Sequence, residues 1–492
     1  MEASNLGLSE KLSEVLGSIS YLLPELCLVL GAIILLIIEL FIPKKEWKLK
    51  TIISLLFVIL TFVSLNFISD NESIFGGALQ IDDLSFVFQA IFLFALLFVF
   101  LFPSQKDELR SVGEYHFLLF SLMLGAFLIV KSRNLLIFYL ALELVSICSY
   151  LLTSFGTKKK GYEAGIKYLL FGALASGVML YGISLLYGLS GSLDLSIILA
   201  GNLDSSLHLI AFFLTSVGVL FKLSIVPMHI WAPDVYEAAP TSVVAVFSII
   251  PKLAALVFLM RGVSYITDAE FQILFLQAIS WMAIVSMFFG NLAAIWQKNA
   301  KRMMAYSSIA HAGFLIIGAV VNNQFGLQSI VFYSVVYALM NLGTFYFIAC
   351  MERNGLNEIS DYAGIGKMIP IVGVSLVILM ISLTGLPPTG GFSAKFLVFS
   401  SLWSSYETSQ HGFMLWLFIF GLINTVIALF YYLKIPYVSI FKTKRNENTV
   451  VFSMKDKLTL LLISFLILAT FFKADLLFDL LNKYNFAFSN LL

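Results

Sequence analysis

Seven ionisable side chains lie within long apolar stretches of this sequence: Glu143, Lys167, Lys222, His229, Lys252, His311 and Lys395. A charged group at the centre of a bilayer costs about 3 kcal/mol, so each such residue calls for a partner, water or a function. One carboxylate, four lysines and two histidines without metal-ligand spacing are suited to holding and passing protons. Glu143 lies near the middle of the apolar run 134–154, and Lys222 lies just before Pro227 in the run 207–230. At similar depth they are expected to form an ion pair, with a static strut between helices as the alternative. Lys252 follows Pro251 and has no carboxylate near it in sequence, so desolvation leaves its proton exchangeable. Lys395 stands in the same position after Gly390-Gly391. His311 is expected to relay between Lys252 and Lys395, a hydrogen-bonded packing histidine being the alternative, and His229 flanks Pro227. Lys167 lies nearer one end of its run, where it could snorkel to the interface, and Lys434 more so.

The elements that position these groups are transmembrane helices. Of 492 residues, 60% are hydrophobic and 12% charged, and the mean hydropathy is +0.95, which places the chain among integral membrane proteins. About 20 apolar residues cross a bilayer, and stretches of that length predict some fourteen spans: 22–42, 52–69, 83–102, 115–130, 134–154, 164–188, 207–230, 239–260, 272–295, 303–321, 329–350, 372–402, 413–438 and 457–472. The remainder, 476–492, reads as a short amphipathic tail. A net charge of +1 excludes the concentrated basic face of a nucleic-acid binder. Cys27, Cys148 and Cys350 fall inside spans without metal-ligand or disulfide spacing, and packing is their expected role.

Basic residues test this division, because they gather on the cytoplasmic side. One set of alternate loops carries Lys44, Lys45, Lys48, Lys50, Lys106, Arg110, Lys158, Lys159, Lys160, Lys298, Lys301, Arg302, Arg353, Lys367, Lys442, Lys444, Arg445, Lys455 and Lys457. The other set has Lys11, Lys131, Arg133, Arg261, Lys473 and Lys483, nineteen against six, which puts both termini outside, in the periplasm of a bacterium. The charge order around the first span is the reverse of a signal peptide's, so a retained helix is expected. Pro227 breaks the seventh span and Gly385-Leu386-Pro387-Pro388-Thr389-Gly390-Gly391 breaks the twelfth, five spans later. Irregular backbone at membrane depth is tolerated only against protein or a hydrated cavity. Two such breaks at corresponding places, facing opposite ways, are the footprint of an inverted repeat; prolines that merely kink a helix are the alternative. The expected units are an N-terminal three-helix segment (1–110), two inverted five-helix repeats (111–265 and 266–440), and a final helix with its tail (441–492).

The run KLSIVPMHIWAPDVYEAAPT from Lys222 to Thr241, KRMMAYSSIAH from Lys301 to His311, and LPPTGGF from Leu386 to Phe392 resemble the antiporter-like subunits of respiratory complex I and of multi-subunit cation/proton antiporters. Within that family the chain is most similar to the subunit N branch. The run EAGIKYLLFGA from Glu163 to Ala173 shares that likeness, a lysine stands at 395 where subunit M has a glutamate, and the long lateral helix of subunit L is not expected. The resemblance implies an all-α membrane fold and roles for single residues. Glu143–Lys222 would be a charge switch, Lys252 the central proton carrier and Lys395 the carrier toward the periplasmic exit. Lys167 and His311 would modulate or link them.

Opening of the switch would place Lys222's charge on Lys252 and push a proton off toward His311 and Lys395. The resemblance further implies a subunit of an NADH–quinone oxidoreductase with no redox centre of its own, the NADH, FMN, iron–sulfur and quinone sites lying in other subunits. The sequence itself holds no nicotinamide, flavin or phosphate-cradling fingerprint and no nucleophile triad. Implied partners are subunit M, the small subunits J and K, the lateral helix of subunit L, and the lipid bilayer. A subunit of a sodium/proton antiporter or of a membrane-bound hydrogenase is the alternative. Sodium transport without NADH and quinone, or flanking genes without a redox arm, would favour it.

Overall fold

The computed structural model describes residues 13, 15–42, 46–67, 72–103, 111–156, 159–200, 206–443, 450–484 and 486. In chain order the helices are α1 (Leu23–Phe41), α2 (Trp47–Leu65), α3 (Asp83–Val99), α4 (Val112–Lys131), α5 (Leu135–Thr153), α6 (Lys159–Ser190), α7 (Leu195–Leu199), α8 (Ser206–Leu223), α9 (Trp231–Ala238), α10 (Thr241–Tyr265), α11 (Ala269–Ile295), α12 (Ala300–Val321), α13 (Gln324–Arg353), α14 (Ile365–Met368), α15 (Pro370–Thr384), α16 (Gly390–Ser409), α17 (Gly412–Phe441), α18 (Met454–Phe472) and α19 (Ala474–Asn482). Among the described residues, eleven helices are long and apolar enough to cross a membrane, and α18 with α19 makes a twelfth candidate, bent by 74°. The shorter apolar helices α3 and α15 occupy the third span and the first half of the twelfth. An antiparallel hairpin of β1 (Glu72–Ile74) and β2 (Leu79–Ile81), unforeseen from hydropathy, joins α2 to α3. Its turn needs Gly76 and Gly77, both at positive φ.

The interior is built around α10, buried along its whole apolar length, with α12 and α13 nearly as enclosed. The peripheral helices α1, α2, α6 and α17 keep apolar faces such as Leu30, Ile52, Leu170 and Phe430 outward, where lipid is the natural solvent.

Both expected breaks are present. α8 ends at Leu223, Ser224 takes a left-handed conformation, and the chain resumes as α9. The opened backbone is met by protein, because Trp231 Nε1 donates to the Phe221 carbonyl at 3.0 Å and Val226 N donates to Ser286 Oγ of α11 at 2.9 Å. At the second break α15 ends on Gly385 at φ 87°, and Gly391 N donates to Ser382 Oγ at 3.1 Å.

Several cations that the sequence assigns to loops lie inside the protein instead. Lys50 pairs with Glu39 at 2.7 Å, Lys131 with Glu25 at 2.7 Å, and Lys301 with Glu352 at 2.8 Å. Arg261, fully buried, pairs with Asp82 at 2.7 Å and donates to the Val130 carbonyl. They stand at helix ends, where carboxylates on neighbouring helices can reach them, so part of the charge asymmetry is internal pairing. Of the other basic residues counted there, Lys11, Lys44, Lys45, Lys106, Arg110, Lys158, Lys444 and Arg445 lie outside the described residues, as does the tail beyond Phe486. Asp82 also caps α3, accepting from Ser85 N at 2.8 Å. Asp82→Ala removes the cap and leaves a buried guanidinium without its carboxylate, a loss of about 3–5 kcal/mol. The expected result is a lower thermal unfolding midpoint in detergent; an unchanged midpoint would mean that Arg261 finds other compensation.

Candidate proton-conducting site

Lys222, Lys252, Lys395 and His311 are buried, and each is held by groups that the sequence did not single out. Lys222 is in the last turn of α8. Its Nζ is 3.4 Å from Tyr168 Oη of α6 and lies over the rings of Tyr168 and Tyr150, at 5.2 and 5.6 Å from their centroids. Such cation–π contacts each stabilise a desolvated ammonium by about 0.5–2 kcal/mol. Gly172 makes room for this, since a Cβ there would fall on the Tyr150 hydroxyl. The expected salt bridge with Glu143 is not formed in this structure. Glu143 lies half-buried on α5 with its Oε1 buried and without a hydrogen-bond partner. The aromatic cage, contributed by α5 and α6, has taken the ammonium.

Lys252, midway along α10, donates to the hydroxyl and the carbonyl of Ser308 at 3.0 and 3.1 Å. Ser308 Oγ is in turn 3.4 Å from Tyr236 Oη of α9. One turn further along α12, His311 Nδ1 is 2.6 Å from Tyr333 Oη and Nε2 is 3.0 Å from Tyr432 Oη. Tyr432 also meets Ser307, which lies one turn before His311 on α12. A further turn on, the Phe314 ring lies 4.8 Å from Lys395 Nζ. Ser308, His311 and Phe314 recur at three-residue spacing, so a single face of α12 runs from Lys252 to Lys395.

Lys395 Nζ donates to the carbonyls of Thr384 and Leu383 at 2.8 and 3.4 Å, the groups freed where α15 ends. Glycine is required at 385, because a Cβ would lie 2.6 Å from the lysine stem. The second break therefore makes the acceptors that hold Lys395, which gives the paired glycines and prolines a chemical use.

Two expected residues stand apart. Lys167 has a 45% exposed side chain and pairs with Glu163 at 2.8 Å and Asp234 at 3.3 Å. Arg302 bridges Asp234 and Glu237 in the same surface cluster at 2.8 and 2.9 Å. On α6 the inward positions are Ala164, Gly165 and Tyr168, and helix rotation turns Lys167 away from them. His229 is buried with its Nδ1 unpartnered, edge-on to Phe289 of α11 at 4.5 Å, and not in hydrogen-bond contact with the lysines. Lys434 donates to the Gln297 and Ile295 carbonyls at 3.0 and 3.4 Å, closing the end of α11 as an interfacial residue does. Among the described residues no His, Cys, Asp and Glu side chains are grouped to hold a metal. The hydroxyl partners had a partial signal in the sequence: Tyr168 lies one residue from Lys167, and Ser307-Ser308 three to four residues before His311.

Buried amines strung on hydroxyls, between two broken helices of a multi-pass membrane protein, define the antiporter-like class of membrane subunits. Residues 132–428 match the family described as NADH:quinone oxidoreductase/Mrp antiporter, transmembrane. NADH-quinone oxidoreductase subunit N 2 of Chloroherpeton thalassium is 34% identical over 94% of this chain and 93% of its own length. A chain in the structure of respiratory complex I from Thermus thermophilus with bound aureothin superposes with a TM-score of 0.78 and 27% identity, over 93% of this chain and 98% of that one. A chain of the Mrp complex from Dietzia shares the fold, with a TM-score of 0.80 at 18% identity over 95% and 96% of the two chains. The chain belongs to the subunit N family of NADH–quinone oxidoreductase.

Proposed function

We propose that this chain is a proton-translocating membrane-arm subunit of an NADH–quinone oxidoreductase, a part of the enzyme that conducts protons and has no redox site of its own. The observation that carries this reading is the set of buried amines, Lys222 in its tyrosine cage and Lys252 and Lys395 at the two ends of a face of α12 that carries Ser308, His311 and Phe314. Lys252 is the central carrier and Lys395 the carrier toward the exit. Lys222 is the switch, shared between the Tyr150–Tyr168 cage and Glu143. With Lys222 drawn to Glu143, its positive potential at Lys252 falls and Lys252 takes up a proton. With Lys222 returned to the cage, like charges in a low-dielectric interior favour release of that proton toward His311. His311, between two phenol oxygens, passes it by accepting at one ring nitrogen and giving up a proton from the other. Lys167 and His229 act at one remove, Lys167 by anchoring α9 through Asp234 and His229 by packing the first break.

The same reading assigns fourteen crossings, with the two five-helix units 111–265 and 266–440 as inverted repeats between 1–110 and 441–492. Their support is the position of the two breaks and the helix found at each expected span. NADH, FMN, iron–sulfur clusters and quinone belong to other subunits and none to this chain. Its neighbours are subunit M, the small subunits J and K, and the lateral helix of subunit L. It sits in the bacterial inner membrane with both termini periplasmic. The sodium/proton antiporter alternative has the weaker support, since the Mrp likeness is one of fold at 18% identity. The test is transport by the assembled complex in sealed vesicles. NADH with quinone is expected to drive acidification that is insensitive to removal of sodium, and sodium/proton exchange without NADH and quinone would overturn the reading.

A further inference from the structure

A second polar cluster lies beside His311 and stands outside the line from Lys252 to Lys395. Asn291 of α11 and Asn424 of α17 are buried, and their side chains meet between the two helices. Asn424 Nδ2 donates to the Phe420 carbonyl at 2.9 Å, which turns Asn424 Oδ1 toward Asn291. Asn291 Nδ2 donates to that oxygen and to the Asn424 carbonyl, both at 3.0 Å. These two oxygens can only accept, so the Asn291 amide has one orientation and its Oδ1 faces Tyr431 of α17. The Tyr431 hydroxyl, 3.0 Å from an atom that cannot donate, commits its own proton there.

That commitment reaches His311 through the neighbouring hydroxyls. The Tyr431 oxygen also lies beside the hydroxyls of Ser307 and Tyr432, and with its proton spent it offers them lone pairs alone. Ser307 Oγ and Tyr432 Oη are in hydrogen-bond contact, which takes one proton between them. If Ser307 supplies it, the Tyr432 proton turns to Tyr431; if Tyr432 supplies it, the Ser307 proton does. In both arrangements the Tyr432 proton points away from His311, and the Tyr432 oxygen meets Nε2 as an acceptor. Nε2 of the neutral ring then carries the proton, and Nδ1 is left to accept from Tyr333. The two distances agree. The 3.0 Å from Nε2 to Tyr432 is usual for an N–H···O bond, and the 2.6 Å from Nδ1 to Tyr333 is in the range of a hydroxyl donor.

We propose that Asn291, held by Asn424, is a positioning residue for proton transfer at His311. Through Tyr431 and Tyr432 it sets the resting tautomer of the ring, with the proton on Nε2 and Nδ1 vacant. This rests on the reading of His311 as a proton relay. A ring held in this way gains a proton at Nδ1 and loses one from Nε2, which gives transfer across it a direction. A staple between α11 and α17 is the plainer role for two buried amides, but a matched apolar pair would serve a staple as well.

The experiment uses the assembled complex in sealed vesicles and compares Tyr431→Phe, Asn291→Leu, Asn291→Leu with Asn424→Leu, and His311→Gln alone and with Tyr431→Phe. It reads NADH-driven acidification in H2O and in D2O, with a native gel for assembly. Tyr431→Phe and Asn291→Leu are each expected to slow acidification about tenfold and to raise the H2O/D2O rate ratio about twofold, because transfer at His311 becomes limiting. The paired leucine variant is expected to stay as slow as Asn291→Leu, since Tyr431 still lacks its acceptor, whereas a staple would recover. On the His311→Gln background Tyr431→Phe is expected to add no further loss, because the two act through one ring. If the leucine variants fail to assemble, Tyr431→Phe decides. Wild-type acidification by Tyr431→Phe, recovery in the paired leucine variant, or a further loss on the His311→Gln background would overturn the positioning role. Wild-type acidification by His311→Gln would instead overturn the relay itself.

Discussion

Lys252→Ala is expected to reduce NADH-driven proton translocation by roughly two orders of magnitude, the effect typical of losing a positioned proton-transfer group, while leaving the complex assembled. The reason lies in what surrounds the amine. Lys252 donates to the hydroxyl and the carbonyl of Ser308 and, among the described residues, is in no salt bridge, so no carboxylate fixes it in the charged form. It is also the point where the α9 side, through Tyr236 and Ser308, meets the α12 side that leads to His311. Lys252→Arg separates proton carriage from mere charge. A guanidinium keeps the positive charge but does not release its proton in a protein, so the arginine variant should be as defective as the alanine one. Dye quenching in vesicles and a native gel for assembly give the two readouts. Wild-type acidification by the arginine variant would end the carrier role.

Glu143→Gln carries the second large effect, because it removes one of the two places where Lys222 can rest. At an effective dielectric constant of about 20, an ammonium closing to about 4 Å from a carboxylate gains about 4 kcal/mol. The Tyr150–Tyr168 cage offers about 0.5–2 kcal/mol for each ring. The carboxylate therefore competes with the cage despite being out of contact with Lys222 here, and the orphaned Glu143 Oε1 is the buried acceptor a swinging lysine would satisfy. With glutamine at 143 the lysine stays on the tyrosines, and steady-state NADH–quinone turnover coupled to pumping should fall by about tenfold or more. Tyr168→Phe weakens the other resting place and should slow turnover less, since the ring survives. Equal, wild-type rates in both variants would reduce Glu143 and Lys222 to helix packing.

Hydropathy alone was enough to place the long apolar helices but not the short α7, α9 and α14 between them, and the two breaks were legible because proline and clustered glycine cannot continue a helix whatever surrounds them. The placement of Lys222, Lys252 and Lys395 inside the protein was legible too, since an ionisable residue in the middle of a long apolar span cannot reach water along its own helix. Their partners were not. Lys252 meets Ser308, 56 residues on, and Lys222 meets Tyr168, 54 residues back. Such contacts depend on how each helix is rotated about its axis.

Lys167 shows the limit from the other side. It sits one residue from Tyr168, yet the tyrosine points into the cage and the lysine into a surface ion cluster. Likewise Lys50, Lys131, Arg261 and Lys301 look like loop cations in the sequence, and only packing brings Glu39, Glu25, Asp82 and Glu352 to them. The sequence by itself determined a multi-pass membrane protein with two interrupted helices and basic groups buried along its length, because the solvent a residue requires is a property of the residue and its neighbours in the chain. The tertiary structure alone decided that Ser308 and His311 lie between Lys252 and Lys395 along α12, that Glu143 stands open from Lys222, and that Tyr150 and Tyr168 cage the Lys222 ammonium, because which face meets which is settled only when the helices pack.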